Sequence, residues 1–353
     1  MPLLVNSKFL SQHPITGVTR YAIEIAEQLS SIDPQVNFIA NNDIKHHETA
    51  QLLNPNQVGR SEGITWEQVE LPYFIRKKFK NDHLLLNLEN LAPLLTRNIV
   101  VIHDIIWKTH NFHTKKNLAY YRSIMPLIIK RAQHIITVSE YSKNQILQHF
   151  KINDKKISVA GCAVPSILQK INLDAIHEDN SKKRPYILGP LNKNPLVLIK
   201  AFEKIKCSDE YDLILIGAKR IDINSELNQY LQKNKRIKLT GHITDKELAK
   251  LYSQATVFVY PSVIDGFGIP PIEAMHFGCP VICSNSASLP EVVGNAAFSF
   301  DPSNEMELTN YLNKVLDSED LRNKLIQKGN YQKDQFSWEK SAKTIYNVMQ
   351  SFQ

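Results

Sequence analysis

The chain has 353 residues, 43% hydrophobic and 22% charged. That composition excludes disordered, collagen-like and coiled-coil proteins and leaves room for two hydrophobic cores rather than one small disulfide-stapled scaffold. The net charge of +7 sits wholly in residues 1–170, which hold 20 Lys+Arg against 13 Asp+Glu, while residues 171–353 balance 22 against 22; such a one-sided field favours an anionic membrane surface, a phosphorylated ligand or nucleic acid.

Strand and helix patterns alternate along the chain, which predicts parallel α/β sheets. Pro2 to Val5 reads as a first strand, and Val18, Tyr21, Ala22, Ile25 and Leu29 share one face of a helix starting at Gly17. No apolar run nears the ~18 residues of a spanning helix, and the opening Met1-Pro2-Leu3-Leu4-Val5-Asn6 is unlike a secretion signal, so a cytoplasmic location is expected. In Tyr73-Phe74-Ile75-Arg76-Lys77-Lys78-Phe79-Lys80 aromatics mingle with cations, as in an interfacial segment; a solvated loop or helix face is the competing reading. Asn98 to His103 is an apolar strand followed by a long helical pattern through Lys130. Ile135 to Val138 is another strand, with Ser139 placed to cap the helix toward Phe150.

A polar, aperiodic stretch from Glu178 to Arg184 marks the boundary region, and the expected division is 1–170, 171–335 and a closing segment 336–353. In the second half Pro185 to Gly189, Asp212 to Gly217, Arg236 to Thr240 and Thr256 to Tyr260 read as strands. Leu198, Ala201, Phe202 and Ile205 mark a helix, and Thr244-Asp245-Lys246-Glu247 is a capping box. Two doubly wound, Rossmann-like parallel-sheet domains facing a cleft are the predicted fold. Cys162, Cys207, Cys279 and Cys283 have no metal-ligand spacing and are expected as buried free thiols.

The segment with most chemistry is Asp265-Gly266-Phe267-Gly268-Ile269-Pro270-Pro271-Ile272-Glu273. A strand, a glycine turn and a proline-led helix start form an anion site from backbone N–H groups. Asp265 and Glu273 bracket it, and carboxylates there suit hydroxyl donors such as those of sugars and riboses rather than phosphate itself.

This segment resembles the E-x7-E element of the retaining GT-B glycosyltransferases of family GT4, with Asp265 one methylene shorter than the usual first Glu. The run from Thr240-Gly241-His242 through Leu289-Pro290-Glu291-Val292 is similar to that family's donor-binding half. The resemblance implies that Asp265, Gly266, Phe267, Gly268 and Ile269 meet the donor sugar, that Glu273 binds its ribose, and that His242 and Ile243 also line the donor. Tyr186-Ile187-Leu188-Gly189-Pro190-Leu191-Asn192-Lys193 resembles the strand, glycine and basic segment. Gly189 and Lys193 thereby become donor-site candidates, Lys193 neutralising the leaving diphosphate; Asn192 stands where the family has arginine, and Lys219 or Arg220 are candidate substitutes. His13-Pro14-Ile15-Thr16-Gly17-Val18-Thr19-Arg20-Tyr21 resembles the first-half glycine loop, making Gly17 and Arg20 candidates, with a structural surface role for Arg20 equally open. Val100-Val101-Ile102-His103-Asp104 resembles the strand that delivers a histidine toward the sugar 6-hydroxyl. Ile135 to Ser142 and Phe336-Ser337-Trp338-Glu339 match further, mainly architectural, signatures.

The family reading implies a hexosyltransferase acting with retention, with His103, Asp265 and Lys193 as the catalytic set. A nucleotide-diphosphosugar is the donor and a lipid-linked saccharide of O-antigen or capsule assembly the acceptor, with GDP-mannose first among donors. Peripheral contact with anionic membrane is expected through the basic first half. The chain has no Asp-x-Asp and no histidine ligand spacing, so neither metal nor cofactor is expected; nor is nucleic acid a partner, since the basic run carries no readable motif. Two other classes stay open: a GT-B-type nucleotide-sugar epimerase, which would give product without acceptor, and a noncatalytic polyanion binder.

Overall fold

A computed structural model describes residues 1–80, 82–109, 115–172, 184–217 and 225–353. Two compact units result, one formed by Met1–Cys162 with Ser337–Gln353 and the other by Ala163–Phe336. The chain thus leaves the first unit at residue 162, eight positions before the expected boundary at 170. The polar stretch on which that expectation rested lies mostly outside the described residues.

The first unit holds β1 (Leu3–Asn6), β2 (Asn37–Ala40), β3 (Asn56–Gln57), β4 (Leu84–Asn87), β5 (Asn98–Val101), β6 (His134–Thr137) and β7 (Ile157–Val159). They form one parallel sheet in the order β3-β2-β1-β4-β5-β6-β7. The second unit holds β8 (Tyr186–Pro190), β9 (Asp212–Ile216), β10 (Ile237–Leu239), β11 (Val257–Tyr260), β12 (Val281–Ser284) and β13 (Ala297–Phe300), parallel in the order β10-β9-β8-β11-β12-β13. Both are doubly wound sheets whose winding reverses once, at β1/β4 and at β8/β11. In such sheets the crevice for a ligand opens outside the carboxyl ends of the two strands that flank the reversal.

Local chemistry explains the helix starts. Thr16 Oγ1 accepts from the Thr19 N–H at 3.2 Å and Ser139 Oγ from the Ser142 N–H at 3.0 Å. Thr244 exchanges side-chain and backbone hydrogen bonds with Glu247 in a complete capping box. Each such cap contributes ~1 kcal/mol. The helix Trp338–Gln350 packs on Gly17–Ile32 within the first unit: the Trp338 ring meets Tyr21 at 5.6 Å, and Tyr346 donates to Asp33 at 3.0 Å. The first unit's core includes Leu4, Ile39, Trp66, Leu71, Ile75 and Leu85; the second is built around Leu198, Phe202, Leu213, Val257, Ile282 and Phe300.

The basic run forms a helix with its cations on a solvated face, the second of its two expected readings. Residues Leu71–Phe79 form a helix, and its phase turns Phe74, Ile75 and Phe79 onto the core, with Lys78 Nζ 5.5 and 5.3 Å from the two phenyl centroids. Tyr73, Arg76, Lys77, Lys78 and Lys80 are exposed. All four cysteines are free, but Cys207 is only half-buried.

Candidate active site

In the second unit, β8 runs into Leu191-Asn192-Lys193 and β11 into the loop that carries Asp265, the two neighbouring strand ends where the sheet reverses. Gly189 is what lets the following helix, Pro195–Lys204, lie close: a Cβ there would stand 2.4 Å from Leu198 Cδ2 and 3.1 Å from the Val259 carbonyl oxygen. The glycine expected at the donor site therefore has a packing role in strand β8. Lys193 Nζ lies 2.6 Å from Asp265 Oδ1, and the Tyr260 hydroxyl donates to Asp265 Oδ2 at 3.1 Å. Both carboxylate oxygens are thus held, while an ionised carboxylate has lone pairs left for further donors. Ser288 Oγ is 2.9 Å from both the Asp265 and Phe267 carbonyl oxygens, tying together the two sides of the turn.

Gly268 ends that turn at φ 90°, ψ 72°, a conformation open to glycine and strained for other residues. The helix Ile269–His276 follows, with Pro270 and Pro271 where missing N–H groups cost nothing. Phe267 is buried, its ring edge-on to Phe336 at 5.3 Å; Ile269 is half-buried. Glu273 is buried on the same helix, and its Oε2 accepts from the Tyr252 hydroxyl at 3.1 Å. Burial first, then the adjacent carboxylates, push both tyrosine hydroxyls well above their ordinary range, so Tyr252 and Tyr260 remain donors at any working pH.

His242 is exposed in the turn after β10. Ile243 lines a separate hollow of about 1070 Å³ with Tyr186, Asp212, Ile214 and Lys238, a cavity that shares no residue with the Lys193 and Asp265 cluster. Ile243 is half-buried and directly precedes Thr244, the cap of the helix Asp245–Gln254. Lys219 and Arg220 lie outside the described residues.

In the first unit, Gly17 opens its helix at an exposed position where a Cβ would meet nothing within 4 Å, and Arg20 is half-buried one turn on. His103, just beyond β5, is 6% exposed. Its Nε2 lies 3.1 Å from the Leu88 carbonyl oxygen, its backbone N–H donates to Asn90 Oδ1 at 2.8 Å, and Tyr21 meets its ring at 4.8 Å. A carbonyl can only accept, so Nε2 carries the proton and Nδ1 is the open acceptor. Burial lowers the pKa of His103 to about 4, the Leu88 hydrogen bond opposing. The imidazole is neutral at physiological pH. Among the described residues no group of three or more His, Cys, Asp or Glu is arranged to hold a metal ion, and no helix is long and apolar enough to cross a membrane.

The sequence pattern of the family described as Glycosyltransferase Family 4 matches residues 15–166, and that described as Glycosyl transferases group 1 matches residues 188–332. The O-antigen chain mannosyltransferase RfbU of Salmonella typhimurium is 31% identical over 263 residues, spanning 72% of this chain and 71% of that protein. The chain belongs to the family 4 glycosyltransferases. The O-antigen chain mannosyltransferase B of Escherichia coli is 27% identical across 96% of both chains. A crystal structure of Anabaena HepE in complex with UDP-glucose superposes over 99% of this chain with a TM-score of 0.77 and 18% identity. At that identity the likeness shows the shared GT-B fold of two Rossmann-like sheets.

Two residues of the candidate site escaped the sequence reading. Tyr252 and Tyr260 position the two acids, yet both read as apolar members of a helix face and a strand. The signal available was that a buried tyrosine needs a partner for its hydroxyl, and carboxylates 21 and 5 residues away were within the same stretch.

Proposed function

We propose that this glycosyltransferase moves mannose, carried by GDP-mannose, to a hydroxyl of a lipid-linked saccharide in O-antigen or capsule assembly, with retention at the anomeric carbon. The observation that carries the reading is the Lys193, Asp265 and Tyr260 cluster at the reversal of the second sheet, one turn of loop before the buried Glu273. The mannosyl donor is supported by the names of the two O-antigen relatives.

The residues divide the work as follows. Lys193 keeps two of its three ammonium donors free of Asp265 and supplies positive charge where the departing diphosphate gains negative charge. In the second unit Asp265 takes hydrogen bonds from sugar hydroxyls and Glu273 from the ribose; in the first unit the open Nδ1 of neutral His103 is an acceptor for a sugar hydroxyl. The acceptor oxygen bonds to the anomeric carbon on the face from which the diphosphate leaves, and the acceptor proton passes to the leaving phosphate oxygen. No protein nucleophile enters, and with Lys193 as counter-charge we assign the reaction no metal or cofactor.

Calorimetry of a nucleotide-diphosphosugar panel, run in EDTA on the native protein and on Glu273→Ala, tests this. One nucleotide class should bind, and the variant should bind it at least tenfold more weakly, since an ionised hydrogen-bond acceptor contributes about 1.5–3 kcal/mol. Equal binding by both proteins, or binding by neither, rejects the donor site.

The acceptor's lipid implies work at the cytoplasmic face of a membrane, and the exposed Tyr73, Arg76, Lys77, Lys78 and Lys80 support peripheral contact there. At ~1 kcal/mol per cation near an anionic surface, replacing Arg76 and Lys77 together by glutamine should weaken cosedimentation with phosphatidylglycerol vesicles roughly thirtyfold. Unchanged sedimentation would remove this helix from the membrane.

A further inference from the structure

The second sheet uses its reversal for Lys193 and Asp265; the first sheet has a reversal too, between β1 and β4, and it also brings a lysine to carboxylates. Asn6 and Asn87 are register partners on these parallel strands, and their side chains are hydrogen-bonded at 3.0 Å. Lys8 and Glu89, each two residues further on, therefore leave the sheet side by side, at the place where a doubly wound sheet opens its ligand crevice. Lys8 Nζ lies 3.0 Å from Glu67 Oε2, a side chain 1% exposed. That ion pair occupies Glu67.

Glu89 is placed differently. Its neighbours are both committed to His103, Leu88 through its carbonyl and Asn90 through its side chain. Glu89 itself is only half-buried and has no hydrogen-bond partner among the described residues. A carboxyl held beside an assigned histidine, next to a neutralised ion pair, with its hydrogen-bonding capacity unused, is ready for a ligand's donors.

We propose that Glu89 is the acceptor-binding carboxyl of this enzyme, taking a hydrogen bond from a ring hydroxyl of an uncharged sugar at the β1/β4 crevice. The inference rests on the glycosyl-transfer reading above and adds to it the substrate class met by the first sheet. Two acids against one lysine make the crevice hostile to a phosphate and suited to neutral hydroxyls. The groups facing Glu89 are Lys8, Glu67 and Tyr121. Burial, aided by Glu67 and opposed by Lys8, raises its pKa to about 7, and burial followed by the repulsion of Glu89 and nearby acids pushes Tyr121 up to about 12. The ionised form of Glu89, which gains as pH rises through about 7, is the stronger acceptor for a hydroxyl.

The test uses the full-length protein, the nucleotide sugar found by the calorimetric panel, and octyl hexosides as acceptors, with Glu89→Gln and Glu89→Asp compared to wild type between pH 6 and 8.5. The wild-type acceptor KM should fall as pH rises through about 7. Glu89→Gln should lose that inflection and show an acceptor KM about tenfold higher at pH 8, with kcat within threefold and donor affinity unchanged. If the glutamine protein does not fold, Glu89→Asp decides, by a displaced inflection with donor affinity intact. An unchanged acceptor KM and a retained inflection would overturn the proposal. So would a wild-type protein that binds donor but glycosylates no octyl hexoside, because a crevice built for ring hydroxyls must accept a simple glycoside. A protein that binds no nucleotide sugar would overturn the glycosyl-transfer reading, and this one with it.

Discussion

Lys193→Ala should lower kcat by two to three orders of magnitude while the protein stays folded. Departure of a nucleoside diphosphate concentrates charge on the leaving oxygen, and removing one preorganised group that meets such charge costs ~2.7–4 kcal/mol of transition-state stabilisation. Lys193 is placed for this by the close packing of strand β8 and by its 2.6 Å contact with Asp265. The neighbouring Asn192, where the family resemblance implies an arginine, is exposed and neutral. The substitution also strips Asp265, whose side chain is 15% exposed, of its counter-ion, so a structural loss must be separated from a chemical one. Lys193→Arg keeps the charge and the ion pair but moves the charge centre, and it should recover part of the turnover. Asp265→Asn keeps Lys193 and should raise donor KM as well as lower kcat. Thermal melting of each variant beside its kinetics decides: a folded Lys193→Ala enzyme with more than a tenth of the native turnover would show that the leaving group is neutralised elsewhere.

What was legible in the sequence followed from local signals strong enough to survive the tertiary context. Ser139 and the pair Thr244 and Glu247 cap the helices they were expected to cap, because those hydrogen bonds lie within one turn of chain. Strands β2 and β4 went unread as members of the sheets: each has four residues, almost all buried. A strand covered on both faces has no alternation to detect. In the basic run at residues 73–80 the helical phase sorts what the linear order mixes. Written out, its aromatics look interleaved with cations, but at 100° per residue Phe74 and Ile75 fall on the core side together with Leu71, and the cations are left outside.

The candidate acids Asp265 and Glu273 stood out in the sequence because they bracket two glycines and two prolines, residues that mark a turn and a helix start. The residues that aim them did not. Tyr260 and Tyr252 each have a ring that packs as a hydrophobe and a hydroxyl that reaches a carboxylate, and hydropathy patterns see only the ring. For Ile243 a place in a matched run fixes a position in the chain and not a side-chain direction; it lines a hollow with Tyr186, Asp212, Ile214 and Lys238. Glu89 carried no pattern at all. It became visible only when the register of β1 against β4 set it beside Lys8.

The second large effect is expected at Gly268. With φ at 90° any side chain is strained, and a Cβ would fall 2.4 Å from Leu289 Cδ2, a fully buried atom group at the start of the helix Leu289–Val293. Strain of ~1–3 kcal/mol and overpacking of ~1–3 kcal/mol should together make Gly268→Ala about 2–5 kcal/mol less stable than the native protein. At about 2–4 °C per kcal/mol for a unit of this size, differential scanning calorimetry should show a melting temperature on the order of 10 °C lower. Activity should fall with stability, because Leu289 adjoins Ser288, whose hydroxyl ties the carbonyls of Asp265 and Phe267 together. A double-mutant cycle with Leu289→Ala separates the two causes. Removing the opposing methyls relieves the clash but leaves φ untouched, so the cycle should return a favourable coupling of about 1–3 kcal/mol and part of the lost turnover. Strict additivity would assign the whole effect to the backbone, and Gly268 would then matter for the conformation of the turn alone and not for the seat of the helix behind it.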